Sequence, residues 1–529
     1  MNRPSPVHGV WIPLLYALLL LPLFFLHDTF EEWDGVIQFF AGREILTGSG
    51  YNGWASHFWP PLYPLLVGLG NLFIHGFAAA KLVSAVSSIL LLYVAYEIAV
   101  ELSNEKTTGL LTQLFLCLNP LYVLSSLQAE NHMLDSFFFV SGLLFLLKSL
   151  KEKNAKTLLA TGLLCGLAGL SRYTSYALVP TSLIVLMLIL DLKKAIRLSL
   201  VFVLGFALVS LPWWYYNTLA NGSPLHTWQY MNIGAAVVPK IEGKQEWWWS
   251  TQSRFNGILG IVSAMPLAYL RNFARNVISS SKLLLMSAGV LVPFALPAVF
   301  ASVIKLKRNA LVALVGLTSM YIVVVSQAFV FEQVFLSWTV IMTSLSVMFL
   351  LDYFDSCEKR YAFLKKYRCI VWVIICLSVA GFIFTFYRIV PYINDKSDGG
   401  QLADSQSVTR ALREYDPNIE TKFIMAIHPA RAYYVGAKYL MIPLYYEGSL
   451  DGLVTYEGMS ERVKTYAQKY PSTIANSKIR ADYVIYDINV KRCLPQFAFL
   501  LDPSSKKVPR NFKVVYRSGK VVVYEVVWR

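Results

Sequence analysis

Runs of about 18 or more apolar residues, the length needed to cross a hydrocarbon core about 30 Å thick, recur through the first 390 positions of this 529-residue chain and then stop. A water-soluble globule cannot hide so many. With 56% of residues hydrophobic and only 15% charged, against roughly 25% charged in ordinary soluble domains, the chain reads as an α-helical polytopic membrane protein. Spans are expected near 11–26, 79–101, 108–127, 133–147, 157–171, 174–191, 196–215, 284–304, 309–328, 334–351 and 369–390, eleven in all. Residues 1–391 then form a transmembrane domain and 392–529 a polar domain outside the bilayer. The first apolar run lacks a small-residue cleavage site after it and is expected to be a retained signal anchor.

The charges set the orientation. With the N-terminus in the cytoplasm, the inner loops carry Lys106; Lys148, Lys151, Lys153 and Lys156; Lys193, Lys194 and Arg197; Lys305, Lys307 and Arg308; and Lys359 through Arg368. The short outer loops carry almost none, Arg172 excepted, which is the positive-inside pattern of a plasma or inner-membrane protein. The net charge of +15 therefore reflects topology rather than nucleic-acid binding. Counting the apolar stretch Pro60–Ile74 as a span would invert every later loop, so it is expected to be a re-entrant or interfacial helix on the outer side. Three segments then face outward: loops 27–78 and 216–283, and the tail. The tail alternates β-rich runs (Phe423–Ile427, Tyr483–Ile488, Phe512–Tyr516, Val521–Val527) with helical stretches (Ser405–Glu414, Ser460–Lys469), which reads as a small α/β domain without a nucleotide-binding motif. The six cysteines form no CxxC pair and no zinc-spaced cluster.

Chemistry is sought in the outer segments. The first opens with Glu31, Glu32 and Asp34 directly after span one and runs through Ala41–Tyr51 to Pro60-Pro61-Leu62-Tyr63. Three carboxylates in four residues beside an aromatic, Gly-rich stretch suggest a folded surface over the bilayer. A second cluster, Glu130, His132 and Asp135, lies at the outer start of span four, where acids also suit a helix N-terminus and Asp135 could serve as a cap. Arg172-Tyr173, the cation among the short outer loops, fits either an anionic lipid phosphate or an interfacial anchor. Arg271 and Arg275, four apart, share one face of a helix entering the membrane. Trp247-Trp248-Trp249 fits interfacial anchoring or, as the alternative, sugar stacking, and Asn221-Gly222-Ser223 is a lone sequon.

An acid just after span one, the Ala41–Tyr51 segment and a Pro-Pro-Leu-Tyr opening a re-entrant helix together resemble the GT-C superfamily of membrane glycosyltransferases. The nearest kin are the family 39-like enzymes, which include protein O-mannosyltransferases and lipid A aminoarabinose transferases. The likeness is specific over the first 180 residues and architectural beyond. It implies transfer of a sugar from a polyprenyl-phosphate carrier to an acceptor hydroxyl of a lipid, polysaccharide or protein, with inversion, at the extracytoplasmic face. Asp34 then matches the family's first-loop acid and general base, with Glu32 as the alternative. Glu130 or His132 matches a second acidic position, and Arg43, Tyr63, Arg172, Tyr173, Arg271 and Arg275 would contact the substrate. Some relatives share a divalent metal between the two acidic loops, and this set of residues is compatible with one or with none. Trp59 stands where the aminoarabinose transferases place a lysine. The rival class is a lipid or sugar transporter or flippase; such proteins show internal repeats and mid-membrane ionisable groups, whereas the unusual acids here cluster at one face.

Overall fold

The computed structural model describes residues 9–26, 33–48, 50–51, 53–238, 255, 257–360, 366–394, 401–442, 448–455, 480–487, 490–491, 494–519 and 521–528. Glu31, Glu32, Lys244, the Trp247–Trp249 triplet, Arg254 and the expected helix 460–469 lie outside them.

The first outer segment follows α1 (Trp11–Leu26) as three short helices, α2 (Trp33–Leu46), α3 (Gly53–Phe58) and α4 (Leu62–Asn71). At 10 residues α4 is about 15 Å long, half of what a bilayer crossing needs, which agrees with a segment that stays on one side. Then come α5 (Phe77–Ser103), α6 (Lys106–Cys117), α7 (Pro120–Leu127), α8 (His132–Glu152), α9 (Ala155–Ser171), a 3₁₀ turn (Tyr173–Ala177) into α10 (Leu178–Ile189), and α11 (Leu192–Asn221). Beyond α12 (Tyr230–Val237) and α13 (Ile258–Ala264) lie α14 (Pro266–Met286), α15 (Val292–Lys305), α16 (Arg308–Val325), α17 (Leu336–Arg360) and α18 (Lys366–Asn394).

All eleven expected spans fall on helices, and among the described residues six segments are by themselves long and apolar enough to cross a membrane: Phe77–Ser103, His132–Glu152, Leu192–Asn221, Arg308–Val325, Glu332–Ser356 and Ile370–Val390. Two further pairs are broken. Between α6 and α7 the chain bends by 64° where Pro120 cannot donate a backbone hydrogen bond and Asn119 caps the new helix, accepting from Leu121 N at 3.0 Å. Between α14 and α15 the bend is 103°, with Gly289 at φ +62°. The expected span 284–304 thus begins only after that corner, and α14 runs nearly at right angles to it. Where helices must meet closely they do so through glycine: a Cβ on Gly162 of α9 would stand 2.1 Å from the Phe202 carbonyl oxygen of α11.

The tail domain carries a five-stranded sheet of order β2-β1-β3-β5-β4, from β1 (Phe423–Ala426), β2 (Lys438–Met441), β3 (Tyr483–Asp487), β4 (Phe512–Arg517) and β5 (Val521–Val526). The β1–β2 and β1–β3 pairs are parallel and the other two antiparallel. Helices α19 (Gln401–Tyr415), α20 (Ala430–Val435) and α21 (Leu450–Thr455) complete it. The parallel β1–α20–β2 unit needs a crossover helix, which α20 supplies. That helix docks on the end of the transmembrane domain that carries α2 and α4: the Tyr433 hydroxyl accepts from Phe77 N at 2.9 Å, and its ring meets Phe39 edge-on at 5.4 Å.

Candidate active site

Helix α2 is a wedge. Its residues 35–42 and Glu44 are buried. Val36, Phe39 and Phe40 belong to an apolar cluster with Tyr63 and Val67 of α4, with Ala129 and Leu134 beside the α7–α8 turn, and with Ala430 of α20. Ile37 and Ala41 belong to another, which holds Tyr51, Leu170 at the end of α9, Trp213 and Trp228. Backbone meets backbone along α4: a Cβ on Gly42 would lie 2.2 Å from the Pro64 carbonyl oxygen, and one on Gly68 would lie 2.4 Å from that of Gly42, so neither position admits a side chain. Asp34 sits in the first turn, where the helix dipole favours an anion, and is exposed although the helix behind it is buried. Its neighbour Trp33 meets His428 of the tail domain edge-on at 5.5 Å. The carboxylate therefore stands at the seam between the two domains.

The other first-loop residues divide. Arg43 is exposed, with its guanidinium 5.5 Å from the Phe40 ring centre. Tyr63 is fully buried and donates to the Ala80 carbonyl, so it pins α4 to α5 rather than facing a substrate; its aromatic bulk and the burial of its face account for the difference from expectation. Glu44, which has no conspicuous motif around it, is 7% exposed, and burial lifts its carboxyl to about 8 although Arg43 opposes the shift.

The second cluster assembles as a chain. Arg172 donates to His132 Nδ1 at 2.5 Å, and His132 Nε2 lies 3.0 Å from Glu130 Oε2. Because a guanidinium only donates, Nδ1 is the accepting nitrogen, and the proton therefore sits on Nε2 and points to the carboxylate. Phe331 covers the assembly, 5.8 Å from the Arg172 guanidinium and edge-on to His132. The turn is tied down by Asn131 Nδ2 to Ser171 O at 2.9 Å and Ser84 Oγ to Glu130 O at 3.0 Å. Burial raises the Glu130 carboxyl to about 7 against the opposing charge of Arg172. Asp135 accepts from Ser175 one helical turn deeper, so it holds the 3₁₀ turn that follows Arg172 rather than capping its own helix. Tyr173 is half-buried beside it.

The third expected group is elsewhere. Arg271 and Arg275 are exposed on α14, and Arg275 leans back on Asn272 Oδ1 at 2.8 Å. The buried face of α14 is polar, Asn276 Nδ2 donating to Ser326 O at 3.0 Å. The two arginines thus line the side of the helix turned away from the protein interior.

Three features go beyond what the sequence led us to expect. Lys81 is buried on α5, donates to the Phe24 carbonyl, and lies 4.5 Å from the Phe24 ring centre; a lysine this close to the outer end of a span is a readable signal. His57 Nδ1 lies 2.9 Å from His226 Nε2, with His57 stacked on Trp228 at 3.8 Å, which joins the first outer segment to the second. Burial, then the neighbouring His226, brings His57 down to about 3. His428 and Tyr433 carry no local signal, because only the fold brings them to α2. Among the described residues no group of three or more His, Cys, Asp or Glu is arranged to hold a metal ion.

This is the architecture of a multi-pass membrane protein with the GT-C fold. Residues 59–216 match the family described as dolichyl-phosphate-mannose-protein mannosyltransferase. The fold is similar to that of ArnT from Cupriavidus metallidurans bound to undecaprenyl phosphate, at 14% identity and a TM-score of 0.58, covering 97% of this chain and 98% of that one. It is equally similar to the apo oligosaccharyltransferase of Archaeoglobus fulgidus, at 14% identity and a TM-score of 0.58, covering 91% of this chain and 70% of that one. The same oligosaccharyltransferase, AglB, in complex with an inhibitory peptide and a dolichol-phosphate, matches with a TM-score of 0.56 at 13% identity. No curated protein matches at the sequence level. The family match and the fold agree with the GT-C resemblance; the match begins at residue 59, so it takes in Pro60–Tyr63 but not Asp34 or Ala41–Tyr51.

Proposed function

We propose that the chain transfers a sugar from a polyprenyl-phosphate carrier to an acceptor hydroxyl at the extracytoplasmic face, with Asp34 as general base. The observation that carries this reading is the placement of Asp34: an exposed carboxylate in the first turn of an otherwise buried helix, next to Trp33, whose ring meets His428 of the tail domain. An alcohol is a weak nucleophile until its proton has somewhere to go. In the proposed step the acceptor O–H gives its proton to the Asp34 carboxylate and its oxygen bonds the anomeric carbon from the side opposite the phosphate. The anomeric C–O bond to phosphate then breaks, and the carrier phosphate leaves with that electron pair. Inversion follows from this geometry.

The leaving phosphate gains a negative charge and needs donors. Arg172 is well suited to supply them, because a guanidinium has five N–H groups and the contacts with His132 engage one nitrogen only. The others are available while the Glu130–His132 chain fixes its orientation. Arg43 is the second candidate on the first outer segment. Arg271 and Arg275 suit the phosphates of the surrounding leaflet better than an enclosed donor, because of the side of α14 they occupy. That carriers of this class occupy the fold is supported by the undecaprenyl phosphate and dolichol-phosphate named for the two similar proteins. Whether a divalent metal joins Asp34, Glu32 or Glu130 is decided by assaying the purified chain with and without chelator.

Asp34→Asn keeps size and polarity. General-base assistance contributes about 10²–10⁴ in rate, whereas a surface acid kept for solubility changes stability by under about 0.5 kcal/mol. Turnover of labelled polyprenyl-phosphate sugars should therefore fall at least about a hundredfold in Asp34→Asn with donor affinity nearly kept. Normal turnover in Asp34→Asn with a collapse in Glu32→Gln would move the role to Glu32. Normal turnover in both would end the case for a first-loop base.

A further inference from the structure

The transmembrane domain has a recess at the end opposite Glu130 and Asp34. Its volume is about 260 Å³, and it opens where the C-terminal ends of α5, α8 and α15 meet the start of α6, the start of α16 and the last turns of α17. Helix α8 fixes its depth. From His132 to Lys151 it runs about 30 Å, one hydrocarbon thickness, so a recess beside Lys151 lies level with the headgroups of the other leaflet.

The lining carries charges of both signs. Three lysines (Lys151, Lys305, Lys307) face three acids (Glu101, Glu105, Asp352). Two pairs are already made, Lys151–Glu101 at 2.9 Å and Lys305–Asp352 at 2.5 Å. One cation and one anion remain: among the described residues neither Lys307 nor Glu105 makes an ion pair, and both are exposed.

A second observation points to an occupant. Thr108 also lines the recess, is 1% exposed, and its hydroxyl has no hydrogen-bond partner among the described residues, a state that is costly unless something satisfies it. It lies in the first turn of α6, whose N-cap Glu105 makes no side-chain cap hydrogen bond, so the amides of that helix N-terminus stand beside it without a side-chain partner from the cap. Leu102, Leu147 and Met348 give the recess an apolar wall.

We propose that this recess binds the headgroup of a zwitterionic aminophospholipid. Its phosphate meets Lys307, the Thr108 hydroxyl and the α6 N-terminus, and its primary ammonium meets Glu105. A choline headgroup binds less well because its quaternary ammonium keeps the charge but has no N–H to donate to the carboxylate. A glycerol headgroup fails because it brings no cation for Glu105. The apolar wall and the depth at headgroup level favour a membrane lipid over a soluble metabolite.

The test is lipid retention by the full chain, purified in detergent, measured by native mass spectrometry after exchange with equal amounts of phosphatidylethanolamine, phosphatidylcholine and phosphatidylglycerol. Phosphatidylethanolamine should be retained about tenfold over the other two, as one or two charge-assisted contacts predict. Thr108→Val and Lys307→Gln should each remove most of that preference, while Lys193→Gln, at the same membrane face but outside the recess, should keep it. Equal retention of the three lipids by the unmodified chain, or a preference for phosphatidylglycerol, overturns the proposal without recourse to any variant. So does a preference that survives both substitutions. Displacement by soluble glycerophosphoethanolamine at the lipid's own concentration would reject a membrane lipid as the occupant.

Discussion

Glu44 offers a measurement of whether α2 is held as rigidly as its packing implies. Its carboxyl is 7% exposed, one oxygen has no partner among the described residues, and burial raises it from 4.5 to about 8. Between those two values the unfolded chain has released a proton that the folded chain still holds, so stability falls as pH rises through that window. At about 1.4 kcal/mol per unit the full passage amounts to roughly 5 kcal/mol, an upper bound that a residual water or a yielding helix would reduce by half or more. Glu44→Gln keeps the shape and cannot ionise. Near pH 4.5 the variant and the parent should therefore melt alike, and by pH 8 the variant should be the more stable by about 2 kcal/mol or more, several degrees in melting temperature. Thermal unfolding of detergent-solubilised protein at pH 5, 6, 7 and 8 reads this directly. A variant less stable than the parent at pH 8 would refute the reasoning, because it would mean that the carboxylate is ionised in place and used by a cation.

Four other expectations can be checked with modest effort. Arg172→Lys should weaken binding of polyprenyl phosphate by about tenfold, since a lysine cannot both donate to His132 and present a planar fork to phosphate. Glu130→Gln should leave donor binding changed by less than that, yet flatten any change in donor affinity between pH 6 and 8, the range in which the Glu130 carboxyl titrates near 7; titrations at three pH values distinguish the two. Gly42→Leu should prevent α2 from seating on α4, visible as loss of monodisperse protein, because the new side chain would enter the backbone of residues 64–68. Single cysteines at 151 and 193 should resist, and one at 130 should accept, a membrane-impermeant label applied to intact cells, and label at 151 would overturn the orientation.

The elements legible in the sequence are those with a local signature. The apolar runs fall on helices, as a chain in hydrocarbon must, because an unpaired backbone group there costs too much for any other single-segment conformation. In the tail, Phe423–Ile427, Tyr483–Ile488, Phe512–Tyr516 and Val521–Val527 stand out by β-branched and aromatic content and fall on β1, β3, β4 and β5. Lys438–Met441 has no such signal: it is a strand because its edge pairs with β1, a tertiary fact. The right-angle corner at residues 287–289 is likewise hidden, since the apolar end of α14, Leu283–Met286, is followed by the apolar run from Val290 into α15 with only Ser287, Ala288 and Gly289 between them. At the site, Arg172 is conspicuous as a cation on the wrong side of the charge pattern, but its partnership with His132, 40 residues away, depends on how α8 and α9 pack. Hydropathy shows which residues leave water and does not show which of them meet.

The general-base role proposed for Asp34 makes a demand on the helix that carries it. A carboxylate that must accept a proton from a substrate has to be reachable, and a helix tip in a membrane-surface loop is reachable but ordinarily mobile. Here the helix behind Asp34 is immobilised from three directions: by the Gly42–Gly68 contact with α4, by the Ile37–Leu170–Trp213 cluster, and by Tyr433 and Ala430 of the tail domain. The third support comes from residues far along the chain, so the acid is positioned only when the tail domain is docked. On the proposed reading, cutting that support should lower the turnover number while leaving Arg172, which is held by His132 of α8 and covered by Phe331, able to meet the carrier phosphate. Tyr433→Ala is the corresponding variant: it removes the ring against Phe39 and the hydroxyl that receives the Phe77 amide, and a donor affinity that fell in step with turnover would show instead that the two halves of the site are one unit.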